Sequence, residues 1–198
     1  MRRYKRFLAD VELDSGEVIT AHCPNTGSML NCSDPGSRVW LYDSRNPKRK
    51  LRYTWELVEV AGRHLACINT QRANQLVKEA VEHDRIEELA GYERLLTEQK
   101  YGQENSRIDL LLQGDGVPDC YVEIKNLTLL QDDAGCGVFP DAVTTRGRKH
   151  LRELMEIAQG GERAVLFFHV AHTGIQQVAP AWGIDPEYSA TLARAVGN

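Results

Sequence analysis

The hydrophobic period changes once along this chain, at about Thr70, and the change sets what each side of it can fold into. Before it, "KRFLADVEL", "EVITAHC", "SRVWLYD", "YTWELVEV" and "HLACIN" are partly alternating and rich in Val, Thr, Trp and Tyr, the pattern of strands with one buried face. Turn chemistry separates them: "DSGE", "PNTGS", "SDPGS", "RNPKRK" and "AGR". Short strands without a helix of useful length predict that residues 1–69 form a small β-barrel, OB-type first and SH3-like as the alternative.

After Thr70 the period is helical. "TQRANQLVKEAVEHD" puts Leu76, Val77, Ala80 and Val81 on one stripe, with Asn69 or Thr70 as cap, and "DRIEELAGYERLL" reads as a second short helical segment. "RIDLLLQ" and "CYVEIKNLTLL" read as strands around "GDGVPD", and 131–141 as a loop. "AVTTRGRKHLRELMEIAQ" predicts a basic helix with Asp141 near its start and Leu151, Leu154, Met155 and Ala158 as its buried stripe. "RAVLFFHVA" is continuous enough for a central strand. Residues 70–198 therefore predict an α/β domain ordered helix, strand, strand, helix, strand. Hydrophobic residues make up 42% and charged residues 26%, enough for a packed core. No apolar run reaches the length of about 18 residues that a membrane helix needs, and the start lacks a signal core, so we read the chain as cytoplasmic.

The two central strands carry an anomaly: Asp109 in one apolar run, Glu123 and Lys125 in the next. Alternate strand residues share a face, so Glu123 and Lys125 point one way and Ile124 the other. If Asp109 joins them, two carboxylates and an amine converge. Such a set suits a hard cation, Mg²⁺ or Mn²⁺, with the lysine helping to orient or deprotonate an attacking water. Two neighbouring buried acids without a cation repel and are costly to desolvate. Solvated strand ends or a plain ion pair are the competing reading. The surrounding order, helix, hairpin, basic helix, buried strand, is that of the PD-(D/E)xK (restriction-endonuclease-like) core, with Asp109 as the D and "EIK" as the (D/E)xK.

The segments "RRYKRFLADV", "HCPNTGSM", "YTWELVEV", "ANQLVKEAV", "KYGQENSRIDLLL", "PDCYVEIKNLTL" and "FPDAVTTRGRKHLRELMEIA" run through nearly the whole chain. Together they closely resemble the sugar fermentation stimulation protein A (SfsA) family. The resemblance implies an N-terminal OB-fold-like barrel followed by a PD-(D/E)xK-like α/β domain. It implies DNA binding without sequence preference, and a role in regulating sugar (maltose) metabolism. It also leads to the expectation of a last strand and tail beyond "ARAVGN". Leu110 and Asn126 stand where relatives often carry an aromatic and a serine.

Net charge is −4, yet basic residues cluster at "RRYKR", "RNPKRKLR" and "RGRKHLR". Arg3, Lys5, Lys48, Arg49 and Lys50 are candidate nucleic-acid contacts, against the reading of solvated surface. Tyr4, Tyr53 and Trp55 interleave with them, as on single-strand binding surfaces, although strand aromatics are more often core. Arg107 beside Asp109 is either a phosphate contact or a strand-edge charge. In the PD-(D/E)xK core the second helix lies beside the site, which favours phosphate contacts by Arg146 and Lys149. Gly147 would permit a close approach there. Glu79 on the first helix is a candidate further ligand, with Glu82 competing one turn on. Five cysteines without CxxC spacing read as reduced thiols, with His22, Cys23 and Cys32 as the one loose metal candidate. His169 and His172 read as structural. Two functions remain open: a Mg²⁺- or Mn²⁺-dependent nuclease, and a non-catalytic DNA-binding regulator on a nuclease-like scaffold. A homodimer is compatible with both.

Overall fold

The computed structural model describes residues 1–197. The chain forms two compact units: Met1–Gln71, Asn126–Ala142 and Val170–Ala179 in one, Arg72–Lys125, Val143–His169 and Pro180–Asn198 in the other. Each compact unit thus gathers segments from both sides of Thr70 or from several stretches beyond it. Hydrogen bonds hold the two later segments to the N-terminal strands: Cys67 N–H donates to Ala171 O (2.8 Å), Thr173 N–H to Leu65 O (2.9 Å), and the Ser28 hydroxyl to Asp141 Oδ2 (2.7 Å).

In the first unit the alternating segments become β1 (Arg2–Tyr4), β2 (Leu8–Glu12), β3 (Val18–His22), β4 (Val39–Asp43), β5 (Tyr53–Val60) and β6 (His64–Cys67). Their order is β1-β2-β3-β5-β4, with β6 on β5. β2 and β3 form a hairpin from Leu8↔His22 to Glu12↔Val18, and β3 meets β5 in parallel at His22↔Thr54. This is OB connectivity. Among the described residues β4 and β1 do not pair, so the expected barrel is open. Inward residues make a small core of Ala9, Val11, Ala21, Trp55, Val58, Ala66 and Ile68. Trp55 is fully buried, and its indole N–H donates to Leu57 O (2.9 Å).

The second unit holds most of α1 (Thr70–Glu82), then β7 (Arg94–Tyr101), β8 (Ser106–Gln113), β9 (Cys120–Leu127), α2 (Thr145–Gln159), β11 (Arg163–Val170) and α3 (Pro186–Val196). β10 (Cys136–Phe139) and β12 (Gln177–Pro180) pair as a small separate sheet, so the expected loop 131–141 contains a strand. The main sheet runs β11-β9-β8-β7. One cluster joins Ala73, Val77 and Val81 of α1 to Leu110, Leu112, Val122 and Ile124, and another joins Leu154 of α2 to Tyr101, Ile108 and Leu111. Leu76, placed on the buried stripe by the sequence pattern, is 49% exposed.

The segment read as a second helix breaks after one turn. Glu87–Leu89 is a 3₁₀ turn, Gly91 takes φ +87°, and β7 then pairs with β8 from Arg94↔Gln113 to Tyr101↔Ser106. Thr144 caps α2: its hydroxyl accepts from Gly147 N–H at 2.9 Å. Thr144→Ala is expected to cost about 1 kcal/mol, measured by urea denaturation; an unchanged midpoint would show that the cap carries no stability.

Candidate functional site

The β8–β9 ladder is where the charged residues of the sequence meet. It pairs Leu112↔Cys120, Leu111↔Tyr121 and Leu110↔Val122, and then ends. The next N–H of β9, that of Ile124, donates to Asp109 Oδ2 at 2.7 Å instead. The side chain of Asp109 thus takes the place of a backbone acceptor just where the strands part. On its other flank the β7–β8 ladder skips the Glu98–Asp109 pair, and Glu98 takes φ 55°. A non-glycine residue with positive φ inside a strand stores strain, and here it lies opposite the acid.

Helices complete the surroundings. From α1, Asn74 Nδ2 donates to Asp109 Oδ1 at 2.7 Å. Glu123 is 4% exposed, and its Oε1 accepts from Lys125 Nζ at 2.6 Å and from His150 Nδ1. The other ring nitrogen of His150 accepts from Arg146 Nε at 3.3 Å. The two contacts fix the Nδ1–H tautomer and link carboxylate, imidazole and guanidinium in one row. Glu153, one turn of α2 further on, is 1% exposed; its Oε1 accepts from Glu104 N–H at 3.2 Å. Gly102 is required above it, because a Cβ there would lie 2.4 Å from Glu153 Oε1.

The electrostatics are uneven. Burial, then the Glu123 charge, raises the Asp109 carboxyl above its ordinary value, against hydrogen bonds from Ile124 and Asn74. Burial also pushes Glu123 up, but the His150 hydrogen bond and the Lys125 charge outweigh it and hold that carboxyl below its ordinary value. Burial and the nearby carboxylates of Glu123, Glu153 and Asp109 raise the Tyr101 phenol. Among the described residues Glu123 Oε2 is buried without a hydrogen-bond partner. An ionised oxygen so placed needs a positive or proton-bearing neighbour. Among the described residues no three His, Cys, Asp or Glu side chains gather as a ligand cluster, so the site offers two carboxylates. That donor set fits a hard divalent cation that keeps waters and takes remaining oxygens from a phosphate.

Asp109, Glu123 and Lys125 are therefore brought together. Arg107 is exposed, donating to Glu98 O at 3.3 Å; Arg146 is exposed beside His150; and Lys149 Nζ donates to Glu104 O. Glu79 is not brought to the carboxylates. It is exposed and lines a surface hollow with Leu76, Ala80 and His83, because a residue five places beyond Asn74 points well away around the helix. Asn74 was missed, and His150, on the α2 face expected beside the site, was given no role. The i, i+4 spacing of Arg146 and His150 was the available signal for the second; nothing local marked the first. Gly147 is buried: a Cβ there would lie 2.7 Å from Thr144 Cγ2 and 3.0 Å from Tyr188 Cε2, so protein, not ligand, makes the close approach.

In the first unit the basic residues divide. Arg3 is committed to backbone carbonyls, donating to Arg6 O (3.0 Å), Asn25 O (3.0 Å), Gly27 O (2.9 Å) and Ser28 O (3.4 Å), so it braces the "CPNTGSM" turn instead of facing a ligand. Lys5, Lys48 and Lys50 are exposed, and Arg49 Nη2 donates to Thr54 Oγ1 at 3.0 Å. Of the interleaved aromatics, Trp55 is core and the Tyr4 hydroxyl donates to Asp10 at 3.1 Å. Cys23, Cys32, Cys120 and Cys136 are free thiols; Cys23 contacts Asn25 O and Met29 Sδ, and burial pushes the Cys32 thiol up to about 11. His172 packs against His64 with ring centroids 5.4 Å apart and planes tilted by 47°.

Comparison with known proteins accounts for both halves. Residues 1–68 match the SfsA N-terminal OB domain, and residues 71–198 match the sugar fermentation stimulation protein RE (restriction-endonuclease-like) domain. The chain is 58% identical over 196 residues to a sugar fermentation stimulation protein homolog of Aeromonas hydrophila, covering 98% of this chain and 79% of that protein. A Shewanella loihica homolog is 60% identical over 195 residues, covering 98% of this chain and 82% of its own length. Among solved structures, Pyrococcus furiosus SfsA in complex with Ca²⁺ superposes with a TM-score of 0.87 at 26% identity, covering 100% of this chain and 81% of that one. The chain belongs to the sugar fermentation stimulation protein (SfsA) family.

Proposed function

We propose that this chain binds nucleic acid, DNA without sequence preference, and hydrolyses phosphodiester bonds at a PD-(D/E)xK-type site with Mg²⁺ or Mn²⁺. The observation that carries the reading is the pair of half-buried Asp109 and buried Glu123 where two strands part, close enough for the Glu123 charge to act on Asp109, with Lys125 Nζ 2.6 Å from Glu123. A pure nucleic-acid binder has no use for buried carboxylates that repel phosphate. The Ca²⁺ complex of the Pyrococcus furiosus relative supports a divalent cation in this family.

Asp109 and Glu123 Oε2 would hold the cation, which supplies Lewis acidity toward the phosphate when bound. Lys125 Nζ would orient the attacking water and steady its charge, as its bond to Glu123 Oε1 keeps it at the carboxylates. Arg146 and Arg107 would neutralise phosphate oxygens. His150 would hold Glu123 and Arg146 in register with one ring. The test is cleavage of labelled single- and double-stranded DNA and RNA with Mg²⁺, Mn²⁺ or EDTA. Metal-dependent cutting by wild type is expected. Intact binding without cutting in any metal would overturn the nuclease reading and favour the DNA-binding regulator of sugar metabolism.

The phosphate contacts have their own prediction. Arg146→Ala and Lys149→Ala should each lower the slope of log affinity against log salt by about 1, whatever the DNA sequence. Slopes equal to wild type would remove both from the interface.

A further inference from the structure

The outward face of β4 carries two large aromatics that the fold does not use. Val39 and Leu41 pack on the OB core, whereas Trp40 is 38% and Tyr42 50% exposed. β4 ends the order β1-β2-β3-β5-β4, and the solvent side of such edge strands is ordinarily kept charged. The Arg38 guanidinium lies 5.9 Å from the centre of the Trp40 ring.

The loop that follows, "SRNPKRKLR" at 44–52, holds five basic residues and no acid. Asp43, just before it, is bound by Arg52 through two bonds (2.8 and 2.6 Å). Arg45 Nε also lies 3.9 Å from Asp43 Oδ2, which leaves Lys48, Arg49 and Lys50 as the loop's positive face. The loop folds back toward the aromatics, because Arg49 bonds Thr54 at 3.0 Å and Thr54 is the cross-strand partner of Tyr42. Partners on neighbouring antiparallel strands share a face, so the Arg49 guanidinium is tied to the face that carries Tyr42.

We infer that β4 and the 44–52 loop form a platform for single-stranded nucleic acid, with bases stacking on Trp40 and Tyr42 and phosphates paired by Arg38, Lys48, Arg49 and Lys50. The assignment rests on the nucleic-acid reading proposed above and deepens it. Strand residues two apart lie about 6.6 Å from one another along the chain. That is roughly twice the 3.4 Å rise per nucleotide of duplex DNA, so the rings suit bases splayed from an extended strand. Duplex bases are closed to such rings, and the run of cations beside them suits the phosphates of an extended polyanion.

The test is anisotropy with the full chain in EDTA, using a labelled oligothymidylate and a random-sequence duplex. Trp40→Ala and Tyr42→Ala should each weaken oligothymidylate binding about tenfold, within the range measured for single base–aromatic stacks. Trp40→Phe should keep most of the affinity, and duplex affinity should not change in any variant. A double variant that melts like wild type and binds oligothymidylate equally well would overturn the inference, as would an equal loss on duplex. Wild type that binds duplex but no oligothymidylate removes this platform and leaves the nuclease reading standing. Wild type that binds neither also removes this platform, and metal-dependent cleavage then decides the nuclease reading by itself.

Discussion

Glu123→Gln is expected to cut metal-dependent cleavage by about a hundred- to a thousand-fold, the loss typical when one preorganised charge-stabilising group is removed. Glutamine is the informative replacement because it retains an oxygen for Lys125 Nζ and His150 Nδ1, the two partners of Glu123 Oε1. Its amide nitrogen then occupies the position of Oε2, the buried oxygen that has no hydrogen-bond partner among the described residues. Only the unpartnered position changes, from acceptor to donor, and a cation can no longer sit against it. Glu123→Ala, by contrast, would strand the Lys125 ammonium, whose side chain is 13% exposed, and mix instability with lost chemistry. Lys125→Ala should lose comparable activity while leaving cation binding in place, which separates the two roles. A Glu123→Gln protein that cuts DNA as wild type does would show that the carboxylate is not a ligand.

How much of this was legible depended on whether the signal was local. Asp109, Glu123 and Lys125 stood out because each interrupts an apolar strand, and strand periodicity alone put Glu123 and Lys125 on one face. The OB strands were legible for the same reason, with turn residues marking each end. β7 was not: "ERLLTEQKY" has no alternation of its own, with burial running exposed, partial, partial, exposed, and it becomes a strand through pairing with β8. α3 carried an unread signal, the Asp185-Pro186 start in which the Asp185 side chain accepts from Tyr188 N–H. Asn74 could not be found by any local rule, since its role depends on how α1 lies over β8. Glu79 was chosen in its place for its charge, and helical geometry turns it elsewhere. Arg3 was misread for the opposite reason. A basic cluster resembles a phosphate site in sequence whether or not carbonyl oxygens already occupy it.

Asp109→Asn is expected to leave metal-free protein at least as stable as wild type at neutral pH and to abolish stabilisation by Mg²⁺ or Mn²⁺. Asp109 is raised in the folded state by burial and the Glu123 charge, so folding disfavours its ionised form. The sign follows: the cost is absent below the unfolded value of about 3.9, grows as pH rises through the folded value, and is constant above it. Asparagine carries no charge to penalise. Its oxygen can still accept from Ile124 N–H, and the Asn74 amide can reverse to accept from its nitrogen, so neither hydrogen bond need be lost. The stability difference between variant and wild type should therefore widen with pH across that interval and then level off. In wild type a bound cation cancels the repulsion that sets the cost. At a hundredfold excess over Kd it should add about 2.7 kcal/mol. For a chain of this length that corresponds to roughly 5–10 °C in Tm. The same titration on Asp109→Asn and Glu123→Gln should give no shift. If both variants gain as much as wild type, the cation binds elsewhere and the two carboxylates are a strained ion-pair network without a metal.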